Sequence, residues 1–119
     1  MNKRDMMMKL NGFWKQYHVT GCNNYVKRPK NAVYLSAANS KRHEMAKASL
    51  CYDLLKGKYK FITEAVHNKT NLRHDVVRLN DGTIYEIETD PKRAARFKQI
   101  QTFYNEDIIV IPLWEKKRL

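Results

Sequence analysis

The spacing of hydrophobic and polar positions changes period several times along the chain, and each change marks an element. Residues 40–56 carry apolar side chains at steps of three and four (Ala48, Cys51, Leu55), with Asn39 or Ser40 able to cap the start and Gly57 to stop the end, which predicts a helix. Residues 59–66 are β-rich (Phe61, Ile62, Val66) and give way to a polar turn at 67–71, as expected of a strand. Residues 74–79 and 83–89 are mostly apolar, and the Asn80-Asp81-Gly82 between them is a strong tight-turn signal, so the two predict a hairpin. Pro91, behind a Thr89 or Asp90 cap, opens another helix with Ala94, Phe97, Ile100 and Tyr104 facing inward. The run Ile108-Ile109-Val110-Ile111 within 107–113 predicts a strand buried on both faces.

The first 30 residues divide less readily. Basic and aromatic residues alternate there, 6–17 can form a helix that Gly12 weakens, and 32–37 holds a short apolar piece (Val33-Tyr34-Leu35) fit for a strand or a helix entry. From residue 39 onward the order is helix, strand, strand, strand, helix, strand. If the third and last of these strands run parallel, the second helix is a right-handed crossover, and the fold class is α/β with a mixed central β-sheet flanked by helices. The expected organisation is a single domain over 1–119: a basic N-terminal arm or helix at 1–38, a core at 39–113 and a charged tail at 114–119.

Placed on these elements, the acidic residues gather. Side chains two apart on a strand share a face, so Glu86 and Glu88 lie together. A two-residue Asp81-Gly82 loop would pair Leu79 with Ile84, Val77 with Glu86 and Asp75 with Glu88, putting all three acids on one face. By the same spacing Glu64 shares the face of Ile62 and Val66. Extending the helical stripe back one turn from Ala48 lands on Glu44, which either points inward with that stripe or complements the helix dipole. Two carboxylates about 5 Å apart in a partly buried site repel by roughly 3 kcal/mol. A whole domain is stable by only about 5–15 kcal/mol, so a divalent cation, Mg²⁺ or Mn²⁺, is the expected neutraliser.

Charge adds a partner. Lys and Arg total 23 against 12 for Asp and Glu, a net charge of +11, and the pI is about 9.8. Such a balance points to a polyanion, nucleic acid first, with a solvated basic surface as the plain alternative. No apolar run approaches the roughly 20 residues of a membrane span, and the opening Met1-Asn2-Lys3-Arg4-Asp5 does not continue as a secretory segment. Cys22 and Cys51 have no metal-pair spacing; Cys51 reads as a core residue, and a zinc site from Cys22, His43 and His67 has no local motif behind it.

The element order, with Glu44 on the first core helix, Asp75 opening the second strand and Glu86-Ile87-Glu88 on the third, resembles the PD-(D/E)xK nuclease superfamily over about residues 40–113. The stretches His43-Glu44-Met45-Ala46-Lys47-Ala48 and Tyr85-Glu86-Ile87-Glu88-Thr89 look most like its small archaeal and archaeal-virus members, including those similar to Holliday-junction resolvases. The resemblance implies a restriction-endonuclease-like αβββαβ core and a metal-dependent DNA endonuclease, with structure-specific cutting among the options. Carried over, Glu44 matches the helical acid, Asp75 the strand aspartate and Glu86 the first residue of the (D/E)xK element. Asp75 and Glu86 would then hold Mg²⁺ or Mn²⁺, with Glu44 completing the set. One position departs from the pattern: the family lysine is Glu88 here, which would bind the same metal or act as general base, with Lys92 or Lys98 as a substitute ammonium.

The same resemblance implies a homodimer, for which Met6, Met7, Met8, Leu10, Phe13 and Trp14 offer an apolar interface; the lack of a spanning or secretory run leads to the expectation of a cytoplasmic location, the host's if the source is viral. Lys27, Arg28, Lys30, Lys41, Arg42, Lys92, Arg93 and Arg96 would track DNA phosphates. His43 and His74 flank the acids and could touch phosphate or water, and Tyr17 and Tyr25 could stack on unpaired bases or pack in the core. Two alternatives stand beside the enzyme: a catalytically inactive DNA-binding protein on the same fold, and an interaction protein whose acids merely pair with lysines.

Overall fold

Asn2 caps the first helix, α1 (Lys3–Trp14), by accepting a hydrogen bond from Asp5 N at 2.8 Å. A short strand β1 (Tyr17–Val19) follows, then α2 (Lys41–Lys56) and the strands β2 (Phe61–His67), β3 (Arg73–Arg78), β4 (Ile84–Glu88) and β5 (Ile108–Pro112). The computed structural model describes residues 1–19, 27–93, 95–96 and 108–113. Residues 91–93 and 95–96 are also helical, entered from Asp90, whose Oδ1 accepts from Lys92 N at 2.9 Å. Cys22, Tyr25, the expected inward stripe at Ala94, Phe97, Ile100 and Tyr104, Lys98 and the tail at 114–119 lie outside the described residues.

The strands join in the order β1-β2-β3-β4-β5. Neighbours from β1 to β4 are antiparallel and β5 runs parallel to β4, so the mixed sheet and the α/β class agree with expectation. The N-terminal part differs. Its helix starts at Lys3 because Asn2 supplies the cap, and Tyr17 opens a strand instead of ending the helix. The piece at 32–36 is irregular but lies along β2: Asn31 N donates to Phe61 O at 2.7 Å and Tyr34 N to Thr63 Oγ1 at 2.9 Å. β5 is an edge strand, not one buried on both faces; Ile109 is 44 % exposed.

Each sheet face has its own apolar cluster. Ile62, Ala65, Val77 and Ile84 pack with Leu10 of α1 and Tyr17, while Phe61, Val76 and Tyr85 pack with Cys51 and Leu54 of α2. The buried positions of α2 are His43, Glu44, Lys47, Cys51 and Leu54. Leu55 is 45 % exposed. Glu44 and Cys51 of the expected line thus face inward, while Lys47 and Leu54 are buried where Ala48 and Leu55 were expected, so a lysine enters the core in place of an alanine.

Two irregularities set the geometry of the site. Glu64 has φ 51°, the left-handed region that side chains other than glycine rarely adopt. It faces Asp75 across the strands, and that rung is missing from a ladder that pairs Thr63 with Val76 and Ala65 with His74. The pleat consequently slips: Ile62 and Ala65, three apart, lie in the same cluster. Glu64 thus does not share the face of Ile62, and its carboxylate reaches Lys47 of α2. The second irregularity is the hairpin register, in which Val77 pairs with Ile84 and Val76 with Tyr85.

The expected two-residue loop is replaced by one over 79–82, closed by Arg78 N donating to Thr83 O at 2.7 Å, with Gly82 supplying φ 81°. Leu79 leaves the strand to bury itself completely, and its N–H goes to Lys60 O at 2.8 Å. Asp75 therefore comes level with Glu86 and not with Glu88.

The end of α2 fixes its seating on the sheet. Lys58 N donates to Leu55 O and Tyr59 N to Leu54 O, both at 3.0 Å, with Lys58 at φ 64°. The left-handed residue of this closure is Lys58, one past the glycine. Gly57 serves another purpose, since a Cβ there would meet the Tyr59 ring at 2.9 Å. Lys58→Gly is expected to raise unfolding free energy by about 1 kcal/mol in urea titrations, whereas Gly57→Ala lowers it.

Candidate active site

Sequence at the start of α2 assembles a charged cluster. Ser40 caps the helix by accepting from His43 N at 3.1 Å, which points the next turn, His43, Glu44 and Lys47, at the sheet. Glu44 Oε1 accepts from Ser36 N at 2.6 Å and from Lys47 Nζ at 2.7 Å. Its Oε2 accepts from Asn39 Nδ2 at 3.1 Å and meets His43 Nδ1 at 2.6 Å. Burial alone would raise the Glu44 pKa, but Lys47, the Ser36 N–H, His43 and Asn39 together pull it down to about 2.

Lys47 is fully buried and bridges this carboxylate to Glu64 Oε2 at 2.9 Å. Arg73 Nε approaches the other Glu64 oxygen at 3.5 Å, and Arg28 Nη2 donates to the Glu64 carbonyl at 2.8 Å. Cations thus hold the left-handed residue of β2 by its side chain and by its backbone.

Next to it, β3 and β4 exchange side-chain bonds. Ile87 N donates to Asp75 Oδ2 at 2.7 Å, Asp75 N donates to Glu86 Oε1 at 3.3 Å, and Glu86 Oε2 lies against His74 Nδ1. These bonds continue the β3–β4 contact beyond the last paired residues, Val76 and Tyr85. Both carboxyls titrate high: Asp75 because burial outweighs the Ile87 N–H and His43, and Glu86, well above the ordinary range, because of burial and the neighbouring Asp75 charge. Glu88 Oε1 accepts from Thr89 N at 3.0 Å and Asp90 N at 3.1 Å, so it shapes the turn into the following helical residues.

An open pocket of about 420 Å³ lies over these groups, lined among others by Ser40, His43, Arg73, Asp75, Glu86, Glu88 and Arg93. Of the four acids expected to converge, Asp75, Glu86 and Glu88 line it. Glu44 is not in the lining and stands behind His43, whose Nε2 is 3.4 Å from Asp75 Oδ2. Among the expected DNA contacts, Arg93 lines the pocket, and Lys41, Arg42, Lys92 and Arg96 are exposed. Lys27 and Lys30 sit over the Trp14 ring at 5.5 and 4.3 Å. Arg28 stacks on Tyr34 at 4.2 Å while holding Glu64, so its guanidinium serves the fold. Sequence reasoning passed over Lys47, Arg73 and the pairing of Glu64; the Glu44–Lys47 spacing of three, which puts an ion pair on one helix face, was the available signal.

The residues suit a hard divalent cation chemically. A buried carboxyl, Glu86, and a half-buried one, Asp75, each made costlier to ionise by the loss of water around it, gain from a cation between or beside them. Among the described residues no group of three His, Cys, Asp or Glu side chains stands together as a ready metal cage, so water and substrate would have to complete the coordination. No described helix is long and apolar enough to cross a membrane. No family model, curated protein or solved structure matches this chain.

Removing one partner of a buried ion pair strands the others. Lys47→Met, which leaves Glu44 and Glu64 without their shared cation, is expected to lower stability by about 3–5 kcal/mol in urea unfolding. Because the folded state depresses the Glu44 pKa, its contribution is present above the ordinary value of 4.5 and is lost as pH falls toward about 2. Thermal unfolding followed over that acid range should show a steeper loss for the natural protein than for Glu44→Gln.

Proposed function

We propose that the chain is a Mg²⁺- or Mn²⁺-dependent nuclease that hydrolyses phosphodiester bonds in DNA, on a core of the PD-(D/E)xK type. The observation that carries this reading is the adjacency of Asp75 and Glu86 in the wall of an open pocket that also presents Arg73 and Arg93. Acids that favour a cation stand beside cations that favour phosphate, and a phosphodiester brings the anion both need. In this reading Asp75 and Glu86 hold the ion, and Arg73 and Arg93 orient the phosphate and take up charge that develops on its oxygens. A bound ion would supply an acidified water and charge neutralisation. Glu44 acts from behind, fixing His43 and Lys47. The net charge of +11 draws the polyanion to the surface, and the exposed Lys41 and Arg42 at the start of α2 continue the basic rim.

One observation favours the second reading, a DNA-binding protein without catalysis. Among the described residues no lysine lines the pocket, Lys47 is sealed in the core, and Glu88 occupies the position of the family lysine. Cleavage assays on labelled single-stranded, duplex and four-way DNA with Mg²⁺, Mn²⁺ or EDTA separate the two. Metal-dependent cutting that falls by about 100-fold or more in Asp75→Asn supports the nuclease. Salt-sensitive DNA binding with no cutting in either metal supports the binding protein.

A further inference from the structure

His43 is the one imidazole that joins α2 to the pocket. Its side chain is about nine-tenths buried, with Nδ1 2.6 Å from Glu44 Oε2 and Nε2 3.4 Å from Asp75 Oδ2. Glu44 also takes hydrogen bonds from Ser36 N, Asn39 and Lys47, so it is an ionised acceptor with its remaining capacity turned to the ring. The proton of the neutral ring therefore sits on Nδ1, and Nε2 offers a lone pair toward Asp75. A separation of 3.4 Å is long for a good hydrogen bond. It does suit two donors of one ion: ligands about 2.1 Å from a metal and roughly 90–110° apart are about 3.0–3.4 Å from each other.

We infer that His43 Nε2 and Asp75 Oδ2 are neighbouring donors of the divalent cation site that Asp75 shares with Glu86, with Glu44 as the carboxylate that fixes the imidazole in its ligating tautomer. The inference rests on the nuclease reading for the presence of the ion, and it replaces the expected Glu44 ligand with the residue beside it. Carboxylate, histidine and metal in line is the arrangement in which an outer acid orients the ring and strengthens it as a donor. Ser40 fixes the backbone of His43, and Lys47 and Asn39 fix Glu44, so the nitrogen is held before any ion arrives. The positions that His43, Asp75 and Glu86 do not fill go to water and to a phosphate oxygen. A nitrogen donor also changes the choice of metal, because imidazole binds Mn²⁺ and later transition ions better than it binds Mg²⁺.

The test uses the full chain and Mn²⁺ alone. Calorimetric titration should show Mn²⁺ binding more tightly than Mg²⁺, and pulsed electron paramagnetic resonance of the Mn²⁺ protein should show nitrogen-14 coupling from one imidazole. His43→Ala and His43→Gln should both lose the coupling and bind Mn²⁺ about 10-fold or more weakly, while Glu44→Gln keeps the coupling and weakens binding by about 10- to 100-fold. If neither histidine variant folds, the coupling in the natural protein, and its disappearance in Asp75→Asn, carry the test. Mn²⁺ that binds through Asp75 without nitrogen coupling, or with unchanged affinity in a folded His43→Ala, overturns this inference and leaves the nuclease reading standing. Failure of the natural protein to bind Mn²⁺ or Mg²⁺ at all, with or without DNA, overturns both.

Discussion

A single buried ammonium holds the working part of the molecule in place. Lys47 Nζ sits between Glu44 and Glu64 at 2.7 and 2.9 Å with no exposure to solvent. Removing an ammonium and two carboxylates from water costs several kcal/mol per ion, and only close contacts and filled lone pairs offset it. Glu44 has four donors, and each Glu64 oxygen faces a cation, Lys47 at 2.9 Å and Arg73 at 3.5 Å. The same contacts offset a second cost, the left-handed backbone of Glu64, of order 1–3 kcal/mol.

From Lys47 the groups run outward with alternating sign. Lys47 meets Glu44, Glu44 meets His43, His43 approaches Asp75, and Asp75 touches Glu86, which leans on His74. Glu44 and Glu64 stand between cationic or imidazole groups, whereas Asp75 and Glu86 stand beside each other. At that pair the alternation breaks, and it breaks in the pocket wall. Local excess of negative charge is thereby confined to the place where a cation from solution could reach it, instead of being spread through the core.

Much of this was readable from the chain. Cap and stop residues located α2 to within a residue, because Ser40 and Gly57 are chemically specific signals. The strands β2 to β5 are legible as apolar runs around the turn at 80–82, while the parallel direction of β5 enters the sequence reading only as a condition. The side-chain directions were harder. On α2 the pattern places Glu44 and Cys51 correctly but offers Ala48 and Leu55 where Lys47 and Leu54 are buried, because a polar side chain breaks the apolar pattern even though a lysine paired with two acids can be buried. The direction of Glu64 was misread because alternation assumes an unbroken pleat, and nothing in Thr63-Glu64-Ala65 marks a left-handed residue. The hairpin register was off by two because Leu79 was treated as a strand residue when its burial draws it into the loop. Three of the four expected acids, Asp75, Glu86 and Glu88, nevertheless line one pocket.

The missing rung between Glu64 and Asp75 has a bearing on how this sequence can vary. Beyond it, β2 and β3 are both written out of phase with their first halves, and they agree only because the displacement occurs in each strand at the same level. Deleting one residue from either strand alone would put its remaining side chains on the wrong side of the sheet relative to its neighbour. Length changes are therefore tolerable in the connection at 68–72 and disruptive within either strand, so Glu64 must keep its count of residues from Phe61, and Asp75 its count to Arg78, whatever the length of the loop between them.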